Sequence, residues 1–150
     1  MDGIRDEAFF FSILRWNPKM QTDNLAVRSA PGKGRGVFSI WKIEPGETIC
    51  RCHVIEVPPV QDAAVRDTVL GTYVFDWPGP RQKEDSQKWS TCCIALGVAS
   101  LINHSSSPNS KWFCFLESKE ICFIATKTIH PGEEVVHDYH WEGDLSKLIS

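Results

Sequence analysis

Apolar residues in this chain come in short runs broken by glycine, proline and polar clusters. Leu25 to Ser29 alternates and predicts a short strand. Val37-Phe38-Ser39-Ile40 predicts a second, directly after the glycine-rich turn Pro31-Gly32-Lys33-Gly34-Arg35-Gly36. Thr48 to Val57 is largely apolar on both faces, as in a buried strand, and Pro58-Pro59 ends it. Tyr73 to Trp77 and Cys92 to Leu96 read as further strands. Trp112 to Leu116 and Ile121 to Ala125 read as a hairpin around Glu117-Ser118-Lys119-Glu120. The best helix lies between Asp62 and Leu70: Asp62 can cap it, Val65 and Val69 share a face, and Gly71 can close it. Asp6 to Trp16 suits a short helix or a strand equally.

The breaks carry information of their own. Pro45-Gly46 inside Ile43-Glu44-Pro45-Gly46-Glu47 favours a type II turn, with glycine taking the positive φ. Ile129-His130-Pro131-Gly132-Glu133 echoes it. We read the echo as one turn chemistry used twice and not as a true repeat. Pro78-Gly79-Pro80 opens a polar stretch over residues 78–90, expected on the surface. Many short strands, little helix and frequent turns define a mainly β fold.

Length and charge narrow the picture. A chain of 150 residues suits one domain. No apolar run is long enough to span a bilayer. Phe9-Phe10-Phe11 follows Asp2, Asp6 and Glu7, unlike the basic start of a secretory signal, so an intracellular protein, cytoplasmic or nuclear, is expected. The net charge of -3, without a dense Lys/Arg cluster, argues against direct nucleic-acid binding. The six cysteines (Cys50, Cys52, Cys92, Cys93, Cys114 and Cys122) sit among apolar neighbours and contain no Cys-x-x-Cys pair. They read as buried small residues, neither disulfides nor a metal site.

Three segments bear chemistry. Gly34 and Gly36 flank Arg35, and glycines let a ligand approach the backbone. The glycine spacing and the strand that follows do not fit a dinucleotide fold, and alone the segment is a loop. Asn103-His104-Ser105-Ser106-Ser107-Pro108-Asn109 would alone be a loop with a hydrogen-bonded histidine. Gly132-Glu133-Glu134-Val135-Val136-His137-Asp138-Tyr139 ends in a tyrosine that alone would be core or a surface anchor.

In this order, and with Tyr73-Val74-Phe75-Asp76 upstream, the segments resemble the SET-domain protein-lysine methyltransferases. The resemblance covers about residues 25–142, leaving residues 1–24 as an N-terminal extension and 143–150 as a short tail. It implies a β-clip-like fold of several small curved sheets, with a knot-like crossing of the Asn-His segment and the C-terminal segment. It implies S-adenosyl-L-methionine as cofactor, its methionine part against Lys33, Gly34, Arg35 and Gly36 and its adenosine end against Asn103 and the backbone of His104. Asn109 would brace the crossing. Tyr139 would be the catalytic tyrosine, Tyr73 a wall of the lysine channel, and Trp141 a cofactor or lid contact. The substrate would be a lysine-bearing protein or peptide, a histone tail among the candidates, and small members of the family include homodimers.

This chain departs from the family pattern at three places. His137 stands where Phe or Tyr is usual, and we expect it to bond the amine or a water and to make activity pH-sensitive. Ser100 stands where an arginine is common. No cysteine follows Tyr139, so Trp141, the Leu145–Ile149 segment or a second subunit would have to close the channel in place of a zinc-binding tail. Two other readings compete. One is a SET-fold interaction module that binds cofactor or peptide without turnover. The other is a metal enzyme using His104, His137, His140 and cysteines. It is weakened because His137 and His140, three apart, face opposite sides of a strand.

Overall fold

Strands form where apolar alternation is densest, and glycine turns fix where they stop. The computed structural model describes residues 24–78 and 91–139; Asp6–Trp16, His140, Trp141, Leu145–Ile149 and most of the 78–90 segment lie outside them. β1 (Leu25–Ala30) and β2 (Gly34–Ser39) form an antiparallel hairpin, with Leu25 opposite Ser39 and Ala30 opposite Gly34. The glycine-rich segment is therefore shorter as a turn than its composition suggests. Gly32 (φ 73°) and Gly34 (φ 79°) make the reversal, and Gly34 to Gly36 already belong to the strand.

The remaining strands are β3 (Thr48–Glu56), β4 (Val74–Trp77), β5 (Thr91–Ala95), β6 (Asn103–His104), β7 (Ser110–Phe115), β8 (Glu120–Ala125) and β9 (Glu134–His137). Two sheets result, one in the order β1-β2-β9-β6 and one in the order β4-β5-β3-β8-β7. The β7–β8 hairpin turns through Lys119, which takes φ 52°. β3 is buried on both faces only at its start, where Ile49 and Cys50 are both covered. A register shift between Thr48 and Cys50 against β8 turns two successive side chains inward there. Beyond it the strand alternates, and His53 and Ile55 face solvent.

The helix also falls elsewhere than expected. α1 spans Pro59–Arg66, because Pro59 at its first turn starts a helix whose φ is already set. Asp62 lies inside the first turn and pairs with Arg66 instead of capping. The helix stops before Val69. Thr68 then accepts from the Leu70 N–H and starts a 3-10 helix, Val69–Thr72, which contains Gly71. A Cβ on Gly71 would sit 2.2 Å from the Arg66 carbonyl oxygen, so this glycine serves close approach and not helix closure.

The core runs between the sheets through Val37, Ile49, Phe75, Trp77, Ile102, Trp112, Ile121, Phe123, Ile129 and Val135. Phe75 meets Trp112 and Phe123 edge-on, at centroid distances of 5.6 and 5.8 Å. All six cysteines are buried free thiols, as their apolar neighbours suggested.

The two echoed turns lie back to back. Ile43 and Ile129 exchange both backbone hydrogen bonds, each 2.9 Å. In each turn a glutamate folds back on the backbone: the Glu44 N–H donates to Glu47 Oε2 (2.7 Å) and the His130 N–H to Glu133 Oε2 (2.8 Å). Gly46 and Gly132 take φ 87° and 82°. One turn launches β3 and the other launches β9.

The crossing takes shape around β9. Val37 of β2 pairs with Val135 on one side, and β6 runs parallel on the other, with Asn103 opposite Val136 and His104 opposite His137. The loop after β6 then closes over the strand. Asn109 accepts from the Val136 N–H (2.9 Å) and donates its side-chain amide to the Glu134 carbonyl (2.8 Å). Ser110 Oγ donates to the Val136 carbonyl (2.8 Å). Asn109 thus braces the crossing by replacing strand partners that β9 lacks there.

Candidate active site

Tyr73, just before β4, and His137 and Tyr139, at and just beyond the end of β9, line one cavity of about 360 Å³. Phe75 and Trp112 add aromatic wall, and Gly71, Thr72, Ser100 and Ile102 complete it. Arg66 and Asp76 stand in the lining as a pair, with Arg66 Nη2 donating to Asp76 Oδ1 at 2.8 Å. Ser100 is held by donating to the Ala95 carbonyl (2.8 Å), so the position common to arginine elsewhere is filled by a short, satisfied hydroxyl.

Tyr139 is fixed by the β6 segment. Its hydroxyl donates to the Ile102 carbonyl (3.1 Å), and its backbone N–H donates to His104 Nδ1 (3.0 Å). Burial, then the Glu134 charge, push the phenol pKa upward, so Tyr139 is a neutral phenol at physiological pH. With its proton committed to Ile102, its oxygen can only accept from a ligand placed in the cavity.

His137 is enclosed. It is 4% exposed, stacks on Phe75 at 5.8 Å, meets Phe123 edge-on at 5.2 Å and lies 4.8 Å from the Tyr139 ring. Its Nδ1 is buried with no hydrogen-bond partner. Burial drives the imidazole pKa down to about 4, opposed by the Asp138 backbone carbonyl and aided by His104. The ring is therefore neutral at pH 7 and gains a proton only at acid pH. It also borders a second cavity of about 150 Å³ with Pro108, Ser110, Lys111 and Asp138.

Beside the cavity the three motifs interlock. The Asn103 side-chain amide donates to the Arg35 carbonyl (2.9 Å) and to Glu134 Oε1 (2.8 Å). Both amide hydrogens are thus used within the protein, and the amide oxygen is what Asn103 can still offer a ligand. Lys33 Nζ donates to the His104 carbonyl (3.2 Å) and lies 3.6 Å from Glu134 Oε2. A Cβ at Gly36 would come within 2.5 Å of Glu134 Oε1 and 2.9 Å of Asn103 Nδ2, which is why this strand position is glycine. At Gly34 the same test meets nothing within 4 Å, so its backbone faces open space.

Every proposed site residue among the described ones falls into this one region; Trp141 lies outside them. Glu134, the hub joining Lys33 and Asn103, received no role from sequence reasoning, although it stands in the Gly-Glu-Glu stretch of a recognised motif. Ile102 was missed because its contribution is a carbonyl, invisible to side-chain patterns. Phe75 and Trp112 were legible only as strand residues. Among the described residues, no group of three or more His, Cys, Asp or Glu side chains is arranged to hold a metal ion.

The fold and this cluster together define a class. The SET-domain profile matches residues 34–140, and the chain belongs to the SET-domain family. N-lysine methyltransferase KMT5A-A of Danio rerio is 28% identical over 135 residues, covering 83% of this chain and 37% of that protein. The Schizosaccharomyces pombe histone-lysine N-methyltransferase specific for H3 lysine-37 is 29% identical over 122 residues, 77% of this chain and 72% of that protein. Among solved structures, Arabidopsis thaliana SUVH6 in complex with SAM superposes with TM-score 0.62 at 23% identity, over 85% of this chain and 30% of that one. KRYPTONITE in complex with mCHG DNA and SAH gives TM-score 0.58 at 25% identity, over 80% of this chain and 24% of that one. The chain thus spans about a third of the first of these relatives.

Proposed function

We propose that this chain is an S-adenosyl-L-methionine-dependent protein-lysine N-methyltransferase. The observation that carries the reading is the convergence of Tyr73, His137 and Tyr139 on one aromatic cavity beside the Lys33–Gly36, Asn103 and His104 cluster. The residues suit the cofactor: open backbone at Gly34, a polar pair at Asn103 and His104, and an adjoining apolar cavity. Bound there, S-adenosyl-L-methionine supplies an electrophilic methyl group.

The protein does the rest by placement. Aromatic walls take the lysine stem and exclude water, which favours the neutral amine over the ammonium. Tyr139 accepts an N–H of that amine, because its own proton is held by Ile102, and so turns the nitrogen lone pair toward the methyl. The ammonium proton leaves to solvent before the channel closes, and no side chain must carry it. Aromatic rings also hold methylammonium products by cation–π attraction.

Relatives named for histone lysines make histone tails the first substrates to try. Labelled methyl transfer to a histone panel and to total protein extract, wild type beside Tyr139→Phe, tests the reading. The variant should lose about 100-fold in rate, the scale of misplacing a reacting group by about 1 Å. Cofactor binding without transfer by the wild type would instead identify a binding module of the same fold.

A further inference from the structure

Tyr139 is gripped by one short segment, and one of the grips is chemically conditional. The Ile102 carbonyl accepts the hydroxyl at any ordinary pH. His104 Nδ1 accepts the Tyr139 backbone N–H at 3.0 Å, which it can do only while that nitrogen bears no proton. Asp138 Oδ1 lies 3.7 Å from the same Nδ1. A bare acceptor nitrogen gains nothing from a carboxylate, whereas a protonated one makes an ion pair with it. The two partners of His104 therefore require opposite protonation states of a single atom.

Other charged and titratable groups also stand near His104. Lys33 Nζ sits on the His104 carbonyl and Glu134 lies beyond it on β9. The Tyr139 ring stands 5.2 Å from the imidazole, and His137, opposite His104 in the parallel β6–β9 pair, lies 4.8 Å from the same ring. His137, pushed down to about 4, stays neutral where an ordinary histidine titrates.

We propose that the neutral His104 imidazole is a positioning residue for Tyr139, and that its protonation moves Nδ1 from the Tyr139 amide to Asp138 and loosens the tyrosine. The contact rests on geometry alone; its effect on turnover rests on the methyltransferase reading. The two are separable by experiment. In ¹⁵N-labelled protein the Tyr139 amide shift should titrate with the same midpoint as the His104 ring signals. His104→Asn, whose side-chain oxygen accepts but does not titrate, should hold that amide shift flat. Asp138→Asn, which removes the imidazolium's partner, should move the shared midpoint to lower pH. Divided by the rate of His104→Asn at the same pH, which cancels protonation of the substrate amine common to both, methyl transfer by the wild type should fall at least tenfold below that midpoint. A Tyr139 amide that stays flat while His104 titrates overturns the inference. So does an acid limb that neither variant alters. Absence of transfer at every pH, with the amide still following His104, would uphold the contact and remove the methyltransferase reading instead.

Discussion

His137 shows how a ring can be neutral and buried at the centre of a site while one of its nitrogens, Nδ1, has no hydrogen-bond partner. A hydrogen-bonding atom without a partner in such a place is destabilising by roughly 1–3 kcal/mol. Its ionisation adds a pH-dependent part. Above pH 6.5 the ring is neutral in both folded and unfolded chains. Between 6.5 and about 4 the unfolded chain binds a proton that the folded one refuses, so stability falls as pH falls. The shift corresponds to roughly 3 kcal/mol. Denaturant unfolding from pH 7 to pH 4 should therefore show His137→Phe losing about that much less stability than the wild type. At this scale the sequence was informative about identity and silent about state. Tyr139, Tyr73 and Asn103 were legible because motifs name side chains. The neutrality of His137 was not, because it depends on Phe75, Phe123 and Tyr139 packing around it from three different strands or strand ends.

Among the elements, β2 carries the clearest constraint. Gly36 has an ordinary strand conformation, so alanine there meets no backbone strain; it meets Glu134 Oε1 and Asn103 Nδ2. Both are side-chain ends that can move, and moving them breaks the link between the glycine strand and the Asn-His segment; the Ala30 Cβ, 3.1 Å away, need give only by a few tenths of an ångström. Gly36→Ala should therefore weaken S-adenosylmethionine binding about tenfold, the loss of one or two hydrogen bonds, while changing the thermal midpoint little. Calorimetric titration beside a melting curve checks both halves. Strand existence was readable from alternation at this level, since β1, β3, β5, β7 and β8 fall where apolar patterning places them. Helix placement was not. Asp62 and Gly71 carry the residue types of caps, but Pro59 set the start earlier and Thr68 began a separate turn, and such competition between local signals is decided by contacts with the Arg66 carbonyl and β5.

For the molecule as a whole, the back-to-back turns join its two halves through Ile43 and Ile129. Gly46 and Gly132 have matching positive φ and open space at the missing Cβ, so alanine at either acts through backbone strain alone. Each substitution should lower stability by about 1–2 kcal/mol in urea unfolding. Only Gly132→Ala should also weaken cofactor binding, because β9 begins two residues later while β3 leads away from the site. The turn chemistry was legible from Pro-Gly and its echo. That the two turns would face each other was not, since nothing in either segment encodes a partner so far along the chain.

The strand held between β2 and the Asn103–Ser110 loop also has a history in time. β9 cannot find its place until β2 and that loop, far apart in sequence, have been brought together, and chain entropy opposes the meeting before any contact rewards it. The five-stranded sheet forms without this meeting, although its own central pair, with Cys52 opposite Ile121, closes a comparably long loop. His137 and Tyr139 arrive with β9. Whatever happens in this cavity therefore waits on that insertion, because His137 and Tyr139 are part of its lining.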